Sequence, residues 1–131
     1  INAPENRRRS LYGVSNRQDM DPMLRIHDVP DPGAHSPWRT ETLTPLQGLF
    51  ALNAPLLQQQ ADALGRALLA APAAALPERV RLAYGRLFQR PPTARETGAA
   101  LRFLTGREQD PAAWSQYAHA LLASNEMLFI D

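Results

Sequence analysis

From Thr44 onward the chain is punctuated at short intervals by residues that start or stop helices, and only short helices fit between them. Thr44 followed by Pro45 and Gln47 supplies an N-cap, a first-turn proline and a side chain able to reach back to the cap, opening a helix to about Asn53. Asn53 is placed to cap a second helix to about Ala71, in which Leu57, Ala61, Leu64 and Leu68 share a face. Pro72 and the alanines after it form a connection. A third helix is expected from about Pro77 to Gln89, with Val80, Ala83, Tyr84, Leu87 and Phe88 as its apolar stripe. Arg90-Pro91-Pro92 stops it. Thr93 with Glu96 is a second capping box, and its helix turns Ala100, Leu101 and Leu104 inward and ends at Gly106. Asp110-Pro111 opens a last helix that buries Trp114, Tyr117, Ala118, Leu121 and Leu122. Gly65, Gly85 and Gly98 fall inside these helices. Each costs about 1 kcal/mol relative to alanine there, a cost that close helix crossings would justify.

Residues 1–40 differ in kind. They hold five of the twelve prolines and no helical period, so they read as an irregular arm with Arg9 to Val14 as the best candidate for a short strand. Trp38 in this arm suits a lid over the helices or an exposed anchor for a partner. The expected fold is mainly α: an irregular N-terminal arm, 1–43, packed on a bundle of about five short helices, 44–131, with Met127 to Asp131 returning to the core. A chain of 131 residues fits a single domain, able to bury roughly two thirds of its unfolded surface. It opens at Ile1 without an initiator methionine, as expected of a piece of a longer protein.

Charge excludes several function classes. The 14 basic residues, all arginine, nearly cancel the 13 acidic ones, so no global field draws the chain to nucleic acid or an anionic membrane. The lack of lysine fits the coding bias of a GC-rich genome. Arg7-Arg8-Arg9 could meet three phosphates, a salt slope of only about −2.7, and no recognition helix or stacking aromatic set accompanies it; nucleic acid is not an expected partner. There is no cysteine, which removes disulfides, thiol catalysis and covalently attached haem. No apolar stretch approaches the roughly 20 residues of a transmembrane segment.

The chemistry-bearing residues favour structural readings. Asp19, Asp21, His27, Asp28, Asp31 and His35 include metal-donor types, but their spacing matches no fixed site, and aspartates beside proline and glycine cap turns; no metal is expected. Ser10, Ser15, Ser36 and His119 form no nucleophile motif. Tyr84, Trp114 and Tyr117 lie on inner helix faces, where packing is the default. Two segments stand out because they set amides or carboxylates among apolar residues: Thr44 to Asn53, and Ser124 to Asp131. Buried polar groups of this kind need partners.

Taken in order, these segments resemble the C-terminal part of a protein family abundant in Planctomycetes, in which this domain follows a cytochrome-c-like domain. Arg8-Arg9-Ser10-Leu11-Tyr12 is similar to the family's Arg-Arg-Ser-Leu-Tyr, and Ile26 to Asp31 to its Phe-Asp-x-Pro-Asp. Arg39 to Asn53 is similar to its Arg-x-x-Thr-x-x-Pro-Leu-Gln-Ala-Leu-x-x-Leu-Asn, Arg90 to Glu96 to its Arg-x-Pro-Thr-x-x-Glu, and Ser124 to Asp131 to its Asn-Glu-Phe-x-x-x-Asp ending. The chain departs at Ile26 and His27, where relatives approach the aspartate with an aromatic residue. It departs again between Gly33 and Trp38, which lacks the cysteine many relatives carry. The resemblance implies an exported, periplasmic or envelope-associated multidomain protein, with no cofactor in this segment and haem confined to a separate upstream domain. It implies no activity.

The residues singled out as a structural polar motif or pocket are Arg8, Arg9, Asp28, Arg39, Gln47, Asn53, Asn125 and Glu126. Glu126 is expected to pair with Arg8, Arg9 or Arg39, and Asn125 to cap the last helix or bond the backbone of 44–53. The function expected is a structural, scaffolding or partner-binding module, its partners being other domains of the same chain or another protein. The alternative is part of an enzyme whose site upstream residues complete, with no catalytic residue assignable here. A scaffold spends its polar motif residues on one another, whereas an enzyme aims several of them into a cleft.

Overall fold

A computed structural model describes residues 12, 16, 18–31, 33–35, 44–72 and 75–128. Among them are seven helices and no strand, as expected of a mainly α chain. The strand expected over Arg9 to Val14 lies, Tyr12 apart, outside the described residues, as do Trp38 and Phe129 to Asp131. The chain divides into two compact units, Ile1–Phe50 and Ala51–Asp131.

The first unit holds a helix that the periodicity did not announce, α1 (Pro22–Ile26). Asp21 caps it by accepting from the Met23 amide at 2.9 Å, and Pro22 fills the first position, the same pairing that opens the last long helix at Asp110-Pro111. Five residues are too few to display a period, so only the cap betrayed it. The aspartates beyond α1 shape the backbone: Asp28 sits at φ 54°, and Asp31 accepts from the Gly33 amide at 2.8 Å, the side-chain turn expected of it. The second helix, α2 (Pro45–Asn53), starts in this unit at the expected capping box. The Thr44 amide donates to Gln47 Oε1 at 3.1 Å, and the Gln47 amide donates to Thr44 Oγ1 at 3.4 Å.

The second unit carries α3 (Pro55–Leu69), α4 (Leu76–Leu87), α5 (Ala94–Leu104), α6 (Pro111–Leu122) and the single turn α7 (Asn125–Leu128). Asn53 does not cap α3. Ala54 holds the cap position without a side-chain bond, because Pro55, with its fixed φ and no N–H, sets the helix start one residue later. The core is built from Leu68 of α3, Val80, Ala83 and Tyr84 of α4, Ala100 and Leu104 of α5, and Ala113, Trp114, Tyr117 and Leu121 of α6. Ala61, Ala118 and Leu122 form a smaller cluster beside it.

Helices α3 and α6 cross closely, and small residues allow it. A Cβ on Gly65 would stand 2.8 Å from the Ser115 nitrogen and 2.9 Å from the Trp114 carbonyl carbon. One turn earlier Asp62 accepts a hydrogen bond from Ser115 Oγ. The crossing explanation fails for the other two glycines. Gly85 faces open space, and Gly98 meets only the Arg102 side chain at 3.6 Å. The turn between α5 and α6 is held at both ends: Gly106 takes φ 80° and donates its amide to Glu108 Oε1 at 2.9 Å, while Trp114 Nε1–H donates to Glu108 O at 2.9 Å. The return of Met127 to the core is not observed. Met127 is 42% exposed and α7 has no buried residue, since one turn of helix has too little apolar face to reach a core already closed by α6.

Candidate functional site

The most elaborate polar arrangement among the described residues centres on Arg90, which the sequence reading marked as a helix stop and as the start of the Arg90–Glu96 resemblance but not as a site residue. Phe88 ends α4, and Gln89 adopts φ 56°, a left-handed conformation that turns the chain sharply after a helix. Arg90 thereby folds back over α4, its guanidinium carbon 5.3 Å from the Tyr84 ring centre and 5.6 Å from that of Phe88, within cation–π range. Pro91 and Pro92 hold the next residues away from helix, so that Thr93 can begin α5.

All five N–H donors of the guanidinium are used. Nε donates to Glu126 Oε1 at 2.7 Å and Nη2 to Glu126 Oε2 at 2.6 Å. On the other edge, Nη2 donates to Glu96 Oε1 at 2.7 Å and Nη1 to Glu96 Oε2 at 3.0 Å. Nη1 also donates to Pro91 O at 3.1 Å. Glu96 is itself fixed by the capping box: its Oε2 accepts the Thr93 amide at 2.6 Å, and Thr93 Oγ1 accepts the Glu96 amide at 3.3 Å. Arg90 thus joins the end of α4, the start of α5 and α7 through two bidentate carboxylate pairs.

The electrostatics follow from this geometry. Hydrogen bonds to Arg90 lead in holding the Glu96 carboxyl down at about 2, helped by those from Thr93. The Glu126 carboxyl is held below its ordinary value of 4.5, again first by Arg90. The guanidinium is pushed up by hydrogen bonds to Glu126 and then to Glu96. Burial, with a contribution from Glu96, raises the Tyr84 phenol. Burial also raises Tyr117, whose hydroxyl is enclosed without a hydrogen-bond partner.

A pH dependence follows. Carboxyls depressed in the folded state stabilise it fully above their unfolded value of 4.5, and that stability is lost as pH falls through the folded values, about 2 for Glu96 and below 4.5 for Glu126. The melting temperature is therefore expected to fall on acidification from about pH 6 to about pH 2. In a Glu96→Gln, Glu126→Gln chain the fall should be clearly smaller. Equal falls would show that other carboxyls govern acid stability.

Of the partners expected for Glu126, Arg8, Arg9 and Arg39 lie outside the described residues; among the residues described, the carboxylate pairs with Arg90. The connection to the 44–53 segment expected of Asn125 comes instead from α6, where His119 Nε2–H donates to Ala51 O at 3.0 Å. Asn125 stands exposed at the start of α7, and Asn53 exposed at the end of α2. Asp28 and Gln47 do meet. Gln47 is the one polar residue buried among those described, and its Nε2 donates to Ile26 O at 3.0 Å and Asp28 Oδ2 at 3.3 Å. It thereby ties the end of α1 to the capping box of α2. His27, at the same end, donates from Nδ1 to Met23 O at 2.9 Å and sets its ring edge-on to Phe50. Among the described residues, no three His, Asp or Glu side chains stand close enough together to hold a metal ion, and no helix is long and apolar enough to cross a membrane.

Arg90 could have been found from the sequence. A capping-box glutamate uses one carboxylate oxygen on the cap amide and leaves the other for a donor, and an arginine six residues before Glu96 is within reach. The family whose model describes PSD1, a protein of unknown function (DUF1553), matches residues 2–104. The chain belongs to the PSD1 family. The match takes in Thr44, Gln47, Arg90, Thr93 and Glu96, while α6 and Glu126 lie beyond it. No curated protein and no solved structure matches the chain.

Proposed function

We propose that this PSD1 chain is a structural or partner-binding module of a larger exported protein. The observation that carries the reading is the complete use of Arg90: all five donors go to acceptors within the fold. Gln47 supports it, since its amide is shared between Thr44, Ile26 and Asp28. Groups consumed in this way hold elements together. Export, and a neighbouring haem domain in the parent protein, rest on the resemblance of the Arg8–Tyr12, Arg39–Asn53 and Ser124–Asp131 segments to planctomycete-type exported proteins.

The test is a melting experiment on the intact chain and its Arg90→Met variant, each with and without phosphate, acetate and sugar phosphates. The variant is expected to melt several degrees lower, and the intact chain to respond to none of these anions beyond an equal ionic strength of chloride. A specific anion-induced rise that disappears in Arg90→Met would favour the enzyme reading. An unchanged melting temperature would remove the structural one.

A further inference from the structure

The two edges of Arg90 are held very differently. Glu96 is locked in place by the Thr93 capping box at the start of an eleven-residue helix. Glu126 arrives on α7, a four-residue turn with no buried residue, and its side chain remains 45% exposed. So short a helix has almost no stability of its own. The guanidinium does not depend on α7 for its position, because the rings of Tyr84 and Phe88, the Glu96 carboxylate and Pro91 O already fix its plane. The Nε and Nη2 edge is therefore preorganised for a carboxylate whether or not Glu126 is there, and preorganisation lowers the cost of binding.

We propose that this edge of Arg90 is a carboxylate receptor which Glu126 occupies in cis, and that an acidic side chain on a partner protein replaces Glu126 when α7 lifts away. The inference rests on the partner-binding half of the function proposed above and supplies its chemistry. The charges agree: with Glu126 gone, Arg90 and Glu96 form a neutral pair with two donors turned outward, so the site takes one further negative charge. A planar, bidentate acceptor fits those two parallel N–H groups better than a spherical anion does. Glu126 then acts as an internal competitor, keeping the receptor closed to weak or misplaced carboxylates.

The experiment uses the full chain with Glu126→Ala, and Glu126→Gln to keep the side-chain volume should alanine impair folding. Acetate at about 100 mM, against chloride of equal ionic strength, is expected to raise the melting temperature of the Glu126 variants and not that of the intact chain. A peptide of alternating glycine and glutamate should bind the Glu126→Ala chain at least about tenfold more tightly than the intact chain, and its glutamine counterpart should bind neither. Adding Arg90→Met should abolish both effects. The proposal is overturned if acetate and chloride act alike on both Glu126 variants, or if the acetate effect survives Arg90→Met. Because the structural reading is judged from Arg90→Met without ligand, the two can fail separately.

Discussion

Trp114→Ala is expected to remove about 3–5 kcal/mol of stability, the range for deleting a fully buried aromatic side chain. Trp114 is 0% exposed and sits in the main core cluster with Leu68, Val80, Tyr84 and Leu104. Its ring meets Tyr117 edge-on at 6.0 Å, and its indole N–H holds the carbonyl of Glu108 in the turn before α6. Domains ordinarily have only about 5–15 kcal/mol in total, so this one change should consume a large share and leave the chain close to unfolding. Trp114→Phe separates the two contributions. The phenyl ring keeps much of the packing but cannot donate to Glu108 O, and the loss should be about 1–2 kcal/mol beyond the volume change. Urea unfolding of both variants measures this. A Trp114→Ala chain within about 1 kcal/mol of the parent would contradict the core as described.

Gly65→Ala should lower the melting temperature by several degrees, although alanine is the better helix former. The added methyl would lie 2.8 Å from the Ser115 nitrogen and 2.9 Å from the Trp114 carbonyl carbon. Both are backbone atoms of α6 and cannot rotate away, so α3 and α6 must separate. Overpacking of this sort costs about 1–3 kcal/mol or more, against a propensity gain of about 1. Gly85→Ala is the control. It too is a mid-helix glycine, but nothing lies within 4 Å of its added Cβ, so it should stabilise by about 0.5–1 kcal/mol. If the two substitutions shift stability in the same direction, the close crossing of α3 and α6 is wrong.

The sequence alone was enough for features whose causes lie within a few residues. Thr44 with Gln47, Thr93 with Glu96, and Asp110 with Pro111 each start a helix where expected, because a cap and its partner are no more than four positions apart and need no tertiary context. The same signal at Asp21-Pro22 opens α1, a helix too short for periodicity to reveal. The apolar stripes of α3 to α6 identified the core residues, since a period of 3.6 fixes which side chains share a face.

Tertiary structure decided what lies across the bundle. Four mid-helix glycines, Gly48, Gly65, Gly85 and Gly98, are indistinguishable as sequence, yet among them only Gly65 meets another backbone, because the close approach of α6 to α3 determines which helix face has a neighbour. Met127 looked like a core residue and is exposed, because the four-residue α7 that carries it has too little apolar face to bury any residue. Glu126 and Arg90 are 36 residues apart. They meet because α6 brings α7 back to the turn between α4 and α5, where a left-handed Gln89 has laid the guanidinium over Tyr84 and Phe88. A charge pair leaves no periodic mark on the chain: any of fourteen arginines could have answered Glu126, and among the described residues it is Arg90 that the packed helices deliver to within 3 Å.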